Sequence, residues 1–390
     1  ESFIPKKRSL PIGCMKAIIH RFSTACRLRE RVAMNDWRQN GPVVIGGVGG
    51  SGTRVIAKIL TDIGYYMGSD LNEALDNLWF TLLFKRPAWF CRQKHLQAQV
   101  IKGLTLFEKR MKNKGRITSG EWLFLISAAF DLMLHGHDHL RSGSGIWPLI
   151  RLKNLLAAPR KPNQPYSGWG WKEPNAHIYL DCLNRHFPEL RFILVIRHGL
   201  DIATGNNQAQ LYNWGPLFGI APPKTHRNLP AASLEYWIKA NQTALSKGRQ
   251  CLKDRFYVVR FDDLQKNPRA ELDQLLVFLN YRGRDASLIG RLSKDIAPPQ
   301  NPRRWQALNG FDLPDELGTF DRIIVTAAME EVPQALLDRL TRDGILLAPV
   351  GPQDGVQSLT RFRRTGNEFP REELLGVRFV PALKGVARQL

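Results

Sequence analysis

Short apolar runs alternate along the chain with longer stretches whose apolar residues lie three and four positions apart. The runs at residues 43–46, 191–196 and 256–261 predict buried strands, and the longer stretches predict helices. The main helices are expected at residues 55–60, 178–187 and 232–252, and a further one is opened by Asn267-Pro268 and continues to residue 279. Strands that alternate with helices are typical of a parallel sheet covered on both faces. The pattern therefore predicts an α/β fold with three layers, α/β/α, around one parallel sheet.

Residues 71–160 interrupt this alternation. Apolar side chains with helical spacing, as in residues 122–126 and 130–134, predict helices and no strand. Turn-forming and basic residues separate them at 141–145 and 159–162. We expect an all-helical insertion after the first helix.

The pattern changes again near residue 309. The tail is predicted to contain strands at 322–326 and 345–350, a helix at 333–340, a turn at Asp343-Gly344, and β-like segments at 358–363 and 377–380. We predict three parts: a basic N-terminal extension over residues 1–40, a main domain over 41–308, and an α/β tail over 309–390.

Composition and charge narrow the function classes. With 390 residues, 43% of them hydrophobic, the chain is long enough to bury a sizeable core. Its formal charge is +21, and residues 310–390 carry 12 acidic against 10 basic side chains, so the excess positive charge lies upstream. This charge favours an anionic partner, namely a nucleotide cofactor, an acidic glycan, nucleic acid or a membrane surface. The alternative is a basic surface without selectivity.

The five cysteines do not form a metal or disulfide pattern. Their positions show no paired spacing, which indicates a reducing compartment, and we expect a cytoplasmic protein without a metal site. The longest apolar runs, such as Phe192–Ile196, have strand length and fall well below the ~20 residues of a membrane helix. No transmembrane segment is expected.

The first strand leads into the glycine-rich segment Gly46–Thr53 and then into a helix. Unpaired N–H groups of such a loop and the positive end of the helix dipole make an anion cradle. The loop nearly fits the nucleotide-triphosphatase pattern, with Gly47 and Gly52 five apart, but Thr53 stands where that pattern requires Lys. Hydrolysis of a nucleoside triphosphate is therefore disfavoured. The other reading is a plain strand-to-helix connection.

A second candidate anion contact lies after the strand that ends at residue 196. Arg197 stands at the carboxyl end of that strand, where open α/β sheets place their ligands. Its guanidinium suits bidentate phosphate binding, and Thr204 adds a hydroxyl one turn into the following helix. Two further segments, Trp169–Pro174 and Phe261–Leu264, occur in order along the chain.

The order of these motifs resembles that of the sulfotransferases that use 3′-phosphoadenosine 5′-phosphosulfate (PAPS), over roughly residues 41–308. In that family a Ser-Gly-Thr loop holds the 5′-phosphosulfate, and an Arg-x-x-x-Asp segment ending in Ser holds the 3′-phosphate. The strand end 261–264 is similar to the family's Tyr-Glu-Asp-Leu element. Residues 169–174 look like the Trp-x-Trp-Lys-x-Pro element of bacterial and carbohydrate-type members. The resemblance implies a metal-free transfer of a sulfonate to a hydroxyl or amine, with a carbohydrate as the favoured acceptor. The alternative acceptors are a lipid, a small molecule and a peptide tyrosine.

The resemblance also implies site residues. Those expected to bind the cofactor are Gly49, Gly50, Ser51, Gly52, Thr53, Arg54, Arg197, Thr204, Gly205, Arg303 and Arg304. This chain departs from the family at Gly50, where a basic residue is usual, and at Gly205, where a serine is expected. The missing cation is assigned to Lys172 and Arg54. The alternatives are an exposed loop lysine and a surface helix residue.

Sulfonate transfer also needs a base for the acceptor proton. Glu73, twenty residues past Thr53, is the first candidate, and Glu173, next to the lysine, is the second. Each is equally explained as an ordinary solvated carboxylate. His177 and His198 rank lower, because a lone histidine beside a helix is more often structural. The aromatic residues Trp79, Phe80, Trp169 and Trp171 are expected either to face the acceptor or to pack in the core.

The tail resembles a different family, the C-terminal part of protein-L-isoaspartate O-methyltransferases. The resemblance rests on residues 320–328, 332–337, 349–351 and 377–381. The family's glycine-rich cofactor strand and loop do not appear upstream, so S-adenosylmethionine is disfavoured as a cofactor and the tail is interpreted as a partial methyltransferase fold. A methyltransferase-related protein is the second functional hypothesis. A nucleic-acid-binding protein is the third and is disfavoured, because no nucleic-acid-binding motif accompanies the charge.

Overall fold

The computed structural model describes residues 37–92, 96–136, 145–157, 165–223, 228–296, 320–352, 355–366 and 368–380. It divides into two compact units. The first comprises Glu1–Pro222 and Tyr236–Ala307, and the second comprises Pro223–Glu235 and Leu308–Leu390.

The first unit contains one five-stranded parallel sheet. Its strands are β1 (Val43–Gly46), β2 (Tyr65–Tyr66), β3 (Gly168–Lys172), β4 (Arg191–Ile196) and β5 (Phe256–Arg260), in the order β2-β3-β1-β4-β5. Every neighbouring pair runs parallel. The predicted parallel sheet is confirmed.

The described residues between 37 and 296 also contain thirteen α-helices. They are α1 (Thr53–Asp62), α2 (Leu78–Phe84), α3 (Pro87–Arg92), α4 (Leu96–Met111), α5 (Ser119–His135), α6 (Trp147–Leu156), α7 (Leu180–His186), α8 (Gly199–Ala203), α9 (Ala209–Trp214), α10 (Leu229–Leu252), α11 (Phe261–Lys266), α12 (Pro268–Phe278) and α13 (Ala286–Lys294). Short 3₁₀ helices lie at Trp37–Gln39, Pro174–Tyr179, Gly215–Phe218 and Lys253–Arg255. Helices α2 to α6 occupy the segment that the sequence predicts to be helical.

Local signals explain where several of these helices begin. The Asn77 side chain accepts hydrogen bonds from the backbone of Trp79 and Phe80 and so caps α2. At α5, Thr118 and Glu121 form a reciprocal capping box. Helix α1 is different, because its N-cap is Gly52 and no side chain caps it. The first turn of α1 therefore keeps donors available.

Apolar side chains cover both faces of the sheet. On one face, Val43 and Ile45 of β1 pack in a core with Ile56 of α1 and Leu272 of α12. On the other face, the ring of Trp171 lies 5.5 Å from that of Phe80 in α2 and 4.9 Å from that of Phe107 in α4. The three-layer arrangement follows from this alternation of side chains along the strands.

The second unit has its own four-stranded sheet, in the order β6-β7-β8-β9. Its elements are β6 (Phe320–Ile324), α14 (Gln334–Leu337), β7 (Leu340–Val350), β8 (Gln357–Arg363) and β9 (Arg371–Val377). The β6–β7 pair is parallel and the other two pairs are antiparallel. Leu337, Leu340, Leu346, Ala348 and Phe362 form a small core.

Two predictions for the tail are wrong. Asp343-Gly344 is not a turn between elements, because β7 runs through it with an irregular register and with Asp343 at φ 65°. The left-handed residue there distorts the strand without ending it. The last strand is Arg371–Val377, upstream of the predicted 377–380, because its pairing with β8 and not its apolar content sets its position.

No helix within the described ranges is both long and apolar enough to cross a bilayer. In the same ranges, no group of three or more His, Cys, Asp or Glu side chains is placed to hold a metal ion.

Candidate functional site

The candidate site lies at the carboxyl ends of β1 and β4, which are adjacent strands. The chain leaves β1 towards β2 on one side of the sheet and leaves β4 towards β5 on the other side. Connections that diverge from neighbouring parallel strands open a crevice, and open α/β sheets bind their ligands there. The glycine-rich loop and Arg197 both start at this crevice.

The loop after β1 adopts a backbone that only glycine takes without strain. Gly50 has φ 88° and Gly52 has φ 96°. A Cβ atom at Gly52 would also overlap the ring of Phe261, the first residue of α11. The absence of a side chain at Gly52 therefore lets the loop pack directly against the ring of Phe261.

Several loop donors point to an anion. Within the described part of the chain, the N–H groups of Gly50, Gly52, Thr53 and Arg54 have no hydrogen-bond acceptor. The hydroxyl of Ser51 is fully buried and also lacks a partner there. A buried polar group without a partner is costly, and an anion in the loop would satisfy such donors. These residues fit the phosphosulfate group that the sequence predicts.

Arg197 lies across the crevice from the loop. Its Nη2 donates to Asp201 Oδ2 at 3.2 Å, and its Nε is buried and lacks an acceptor among the described residues. The guanidinium carbon is 5.9 Å from the centre of the Phe261 ring, the same ring that abuts Gly52. One aromatic ring thus links the two predicted anion contacts, and Asp201 orients the arginine.

The segment after Arg197 is held by a hydrogen bond to α11 and by hydrogen bonds within the segment itself. Asp262 Oδ2 accepts a hydrogen bond from the backbone N–H of His198 at 2.9 Å. The hydroxyl of Thr204 donates to the carbonyl of Leu200, and the carbonyl of Gly205 accepts from Gln208. The proton of the Thr204 hydroxyl is therefore directed into its own helix.

Lys172 is a strand residue and not an exposed loop residue. It ends β3 and is only 3% exposed. Its Nζ donates to Asp76 Oδ1 at 2.5 Å and to the carbonyl of Ala74 at 3.0 Å. In this structure the ammonium holds the turn that carries Glu73.

Glu173 follows directly and is also buried. Its two carboxylate oxygens accept from the backbone N–H and the side-chain Nδ2 of Asn175, both at 2.7 Å. Burial is the main cause of a raised pKa of Glu173, which lies at about 7. The positive charge of Lys85 opposes this shift. The expectation that Glu173 is a solvated carboxylate is wrong.

Gln210 and Asn175 connect Glu173 to the loop, and neither is among the residues predicted from the sequence. Gln210 of α9 accepts a hydrogen bond from the Gly49 N–H at 2.6 Å through Oε1. Its Nε2 donates to Asn175 Oδ1 at 2.8 Å. No local pattern marks Gln210, which lies 161 residues from Gly49, whereas Asn175 directly follows a recognised motif.

The other predicted residues lie as follows. Glu73 and Arg54 are exposed. Arg303 and Arg304 lie outside the described residues. Trp79, Phe80, Trp169 and Trp171 are at most 1% exposed, so they pack in the core and do not face an acceptor.

His177 is buried behind the site. Its Nδ1 lies 2.8 Å from the carbonyl of Pro174, and its Nε2 has no partner among the described residues. Burial lowers the pKa of His177 to about 4, although the bond to Pro174 opposes this shift. The imidazole is therefore neutral at pH 7 and packs as part of the interior.

Comparison with known proteins assigns families to the two parts of the chain. Residues 42–285 match the family described as "Sulfotransferase family". Residues 310–387 match the family described as "Protein-L-isoaspartate(D-aspartate) O-methyltransferase (PCMT)".

Individual relatives match different shares of the chain. A protein-L-isoaspartate O-methyltransferase of Bradyrhizobium sp. (strain BTAi1) is 65% identical over 189 residues, covering 43% of this chain and 85% of that protein. A second one, from Bradyrhizobium sp. (strain ORS 278), is 65% identical over 82 residues, covering 21% of this chain and 38% of that protein. The chain thus spans little more than a third of this second relative. Among solved structures, the sulfotransferase STF9 from Mycobacterium avium is 15% identical with a TM-score of 0.34, covering 74% of this chain and 73% of that one.

Proposed function

The chain belongs to the sulfotransferase family through residues 42–285 and carries a segment of the protein-L-isoaspartate O-methyltransferase family at 310–387, and on this premise we propose that it transfers a sulfonate from PAPS to a hydroxyl or amine. The transfer is assigned to the domain predicted at residues 41–308. The tail is assigned no part in it.

One observation carries this proposal. The loop between β1 and α1 presents four N–H groups without an acceptor in the described chain, together with the buried hydroxyl of Ser51, at an uncapped helix N-terminus. This arrangement supports binding of a phosphate or sulfonate group. Thr53 stands where the nucleotide-triphosphatase pattern requires a lysine, which supports a phosphosulfate rather than a nucleoside triphosphate as the ligand.

We assign the 3′-phosphate of the donor to Arg197 and the segment that follows it. The buried Nε of the guanidinium can donate to a phosphate oxygen, and Asp201 orients the guanidinium. Thr204 and Gly205 are proposed to complete this contact, which requires the Thr204 hydroxyl and the Gly205 N–H to leave their present acceptors, the carbonyls of Leu200 and Ile202. Arg303 and Arg304 are further proposed cofactor residues. The bound donor would supply the sulfonate and its phosphate leaving group.

The remaining roles are assigned to Arg54, Lys172 and Glu73. Arg54, exposed in the first turn of α1, is proposed to place a cation beside the sulfonate. Lys172 holds the turn at Ala74 and Asp76 and adds positive charge from within the strand. Glu73 in that turn is exposed and is proposed as the base, whereas both oxygens of Glu173 are engaged by Asn175.

For the acceptor we propose a carbohydrate. The support is the formal charge of +21 of the whole chain, which favours an acidic glycan as a partner. The three described cysteines, Cys91, Cys182 and Cys251, are free thiols, which supports a cytoplasmic location.

The test is binding of adenosine 3′,5′-bisphosphate, the product of the donor, measured by thermal shift and calorimetry on the full chain. We expect the bisphosphate to raise the melting temperature, because a ligand that binds only the folded state stabilises it. S-adenosylhomocysteine, tested in parallel, should have no effect. A response to S-adenosylhomocysteine alone would overturn the proposal and favour methyl transfer, for which the 65% identity of the tail is the supporting observation.

Sulfonate transfer itself is tested with labelled donor and a panel of oligosaccharides, lipids and small phenols. Label in an oligosaccharide that is lost in Glu73→Gln, with bisphosphate affinity unchanged, supports both the acceptor class and the base. Label in another class would correct the acceptor while leaving the reaction in place.

A further inference from the structure

A continuous series of hydrogen bonds runs from the buried carboxylate of Glu173 to the anion loop. Asn175 Nδ2 donates to Glu173 Oε1 at 2.7 Å, Gln210 Nε2 donates to Asn175 Oδ1 at 2.8 Å, and the Gly49 N–H donates to Gln210 Oε1 at 2.6 Å. Each amide uses its NH₂ towards Glu173 and its oxygen towards the loop. The direction of the whole series is thus set by the acceptor at its buried end.

This direction has a consequence for the loop. The oxygen of Gln210 lies where an oxygen of a bound anion would accept from the Gly49 N–H. An anion placed there would meet a carbonyl oxygen of like partial charge. If both amides turned over, Gln210 would present its NH₂ to the anion and Asn175 would present its oxygen to Glu173. Two oxygens facing each other at Glu173 need a proton between them.

We propose that Gln210 controls access of the anion to Gly49, and that turning its amide towards a bound anion requires Glu173 to take up one proton from solvent. The inference rests on the proposed function, because it assumes that the loop binds the phosphosulfate end of the nucleotide. Gln210 and Asn175 are positioning residues in this scheme. Glu173 is the proton acceptor, and its second oxygen keeps its bond to the Asn175 backbone.

The surroundings of Glu173 suit this role. Lys85, Asp76, Lys172, Tyr179 and Tyr236 are the charged or titratable groups that act on it from the elements packed around it. Burial outweighs Lys85 and Lys172 and brings the pKa of Glu173 to about 7. Both protonation states are therefore accessible near neutral pH without a large conformational change.

Calorimetry of adenosine 3′,5′-bisphosphate binding in buffers of different ionisation enthalpy tests the proton uptake directly. At pH 8 we expect the wild-type protein to take up nearly one more proton per ligand than the Glu173→Gln variant. The Kd of the wild type should rise about tenfold between pH 6 and pH 8 relative to that variant, since a group with a pKa near 7 is about 90% ionised at pH 8. The phosphates of the ligand also titrate near pH 6, but they do so equally in both proteins.

Glu173→Gln separates this coupling from a structural role. A glutamine there can donate to Asn175 Oδ1 without a proton, so the variant should bind at pH 8 as tightly as the wild type does at pH 6. Gln210→Ala removes the competing oxygen and should bind with the pH dependence of Glu173→Gln. Gln210→Glu, of matched size, places a fixed carboxylate at Gly49 and should weaken binding at least tenfold.

The outcomes distinguish the two proposals. If neither the wild type nor any variant binds the bisphosphate at any pH, the proposed function fails. If the wild type binds and its proton uptake is the same in Glu173→Gln and Gln210→Ala, the loop site stands and the coupling is overturned. Circular dichroism and urea unfolding of each variant confirm that a loss of binding is not a loss of fold.

Discussion

Lys172 Nζ lies 2.5 Å from Asp76 Oδ1 and joins the end of β3 to the turn that precedes α2. The lysine side chain is 3% exposed and the aspartate 21%, so the pair is shielded on the lysine side only. The same ammonium donates to the carbonyl of Ala74. The exposed carboxylate of Glu73 therefore stands on a turn that this ion pair holds against the sheet.

Replacing Asp76 by Ala should destabilise the protein markedly. The change leaves a buried ammonium with one carbonyl acceptor, and we expect the free energy of unfolding to fall by about 1–3 kcal/mol. Urea unfolding at pH 7 measures it. The matched control is Asp181→Ala, because its pair with Lys247 is 48% and 42% exposed and should cost less than about 1 kcal/mol. Equal losses in the two variants would contradict the structural role of the Asp76 pair.

Gly52→Ala should damage both fold and binding. The substituted residue would keep φ near 96° and its Cβ would overlap the Phe261 ring, so we expect a loss of about 2–4 kcal/mol and no binding of adenosine 3′,5′-bisphosphate. Gly219→Ala is the control, since its φ is 73° but nothing lies within 4 Å of the added Cβ. That variant should lose only about 1–2 kcal/mol and bind normally. A fully stable Gly52→Ala protein would show that the loop does not pack tightly against the Phe261 ring.

Arg197→Ala should weaken binding of adenosine 3′,5′-bisphosphate by about 10- to 100-fold, as expected for the loss of a charge-assisted contact. Arg197→Lys should recover part of this affinity, since the charge returns without the planar Nε donor. Arg260→Ala tests whether general positive charge explains the effect, because Arg260 ends the neighbouring strand and is 79% exposed. Calorimetry at low and moderate salt separates a specific phosphate contact from a general effect of positive charge. Equal losses at Arg197 and Arg260 would argue against a specific phosphate contact.

Glu173 and His177 should affect stability with opposite dependence on pH. The pKa of His177 is lowered to about 4, so its contribution is present above pH 6.5 and is lost as the pH falls towards 4. The pKa of Glu173 is raised to about 7, so its contribution is present below pH 4.5 and is lost as the pH rises through 7. Each shift corresponds to a change of about 3 kcal/mol, and the two largely cancel between pH 4.5 and 6.5.

In the Glu173→Gln variant, the pH dependence of stability caused by His177 should no longer be cancelled by Glu173. Relative to the wild type, we expect a gain in unfolding free energy of about 3 kcal/mol at pH 8 that disappears at pH 4.5. Urea unfolding across this range measures it, and the double variant with His177→Asn should be flatter. A constant difference between Glu173→Gln and wild type at all pH values would show that Glu173 does not titrate near 7.

Removing residues 310–390 should leave the nucleotide site intact. The tail unit has its own sheet and its own small core around Leu340 and Leu346, and none of the proposed nucleotide contacts lies in it. We expect the truncated chain to bind adenosine 3′,5′-bisphosphate with a Kd within about twofold of the full chain. A folded truncation that has lost this binding would assign the tail a part in the site.

In the first unit, the sequence by itself determined β1, β4 and β5, most of the helices and the position of the glycine loop, whereas it did not mark β2 and β3 as strands. A continuous apolar run placed the strand Arg191–Ile196, and the glycines before Thr53 marked the anion loop, because both signals can be recognised in the local sequence. It also determined that Arg197 directly follows a strand, and hence that it lies at the same edge of the sheet as the loop.

Only the tertiary structure decided what each polar side chain contacts. Lys172 became buried because β3 is an inner strand next to β1, and Gln210 reached Gly49 although 161 residues separate them. The tail showed the same limit, since pairing with β8 placed the last strand at Arg371–Val377 and not at the apolar residues that follow. Contacts between distant segments and the loss of solvent around a charge depend on how elements pack, and no local pattern of residues encodes them.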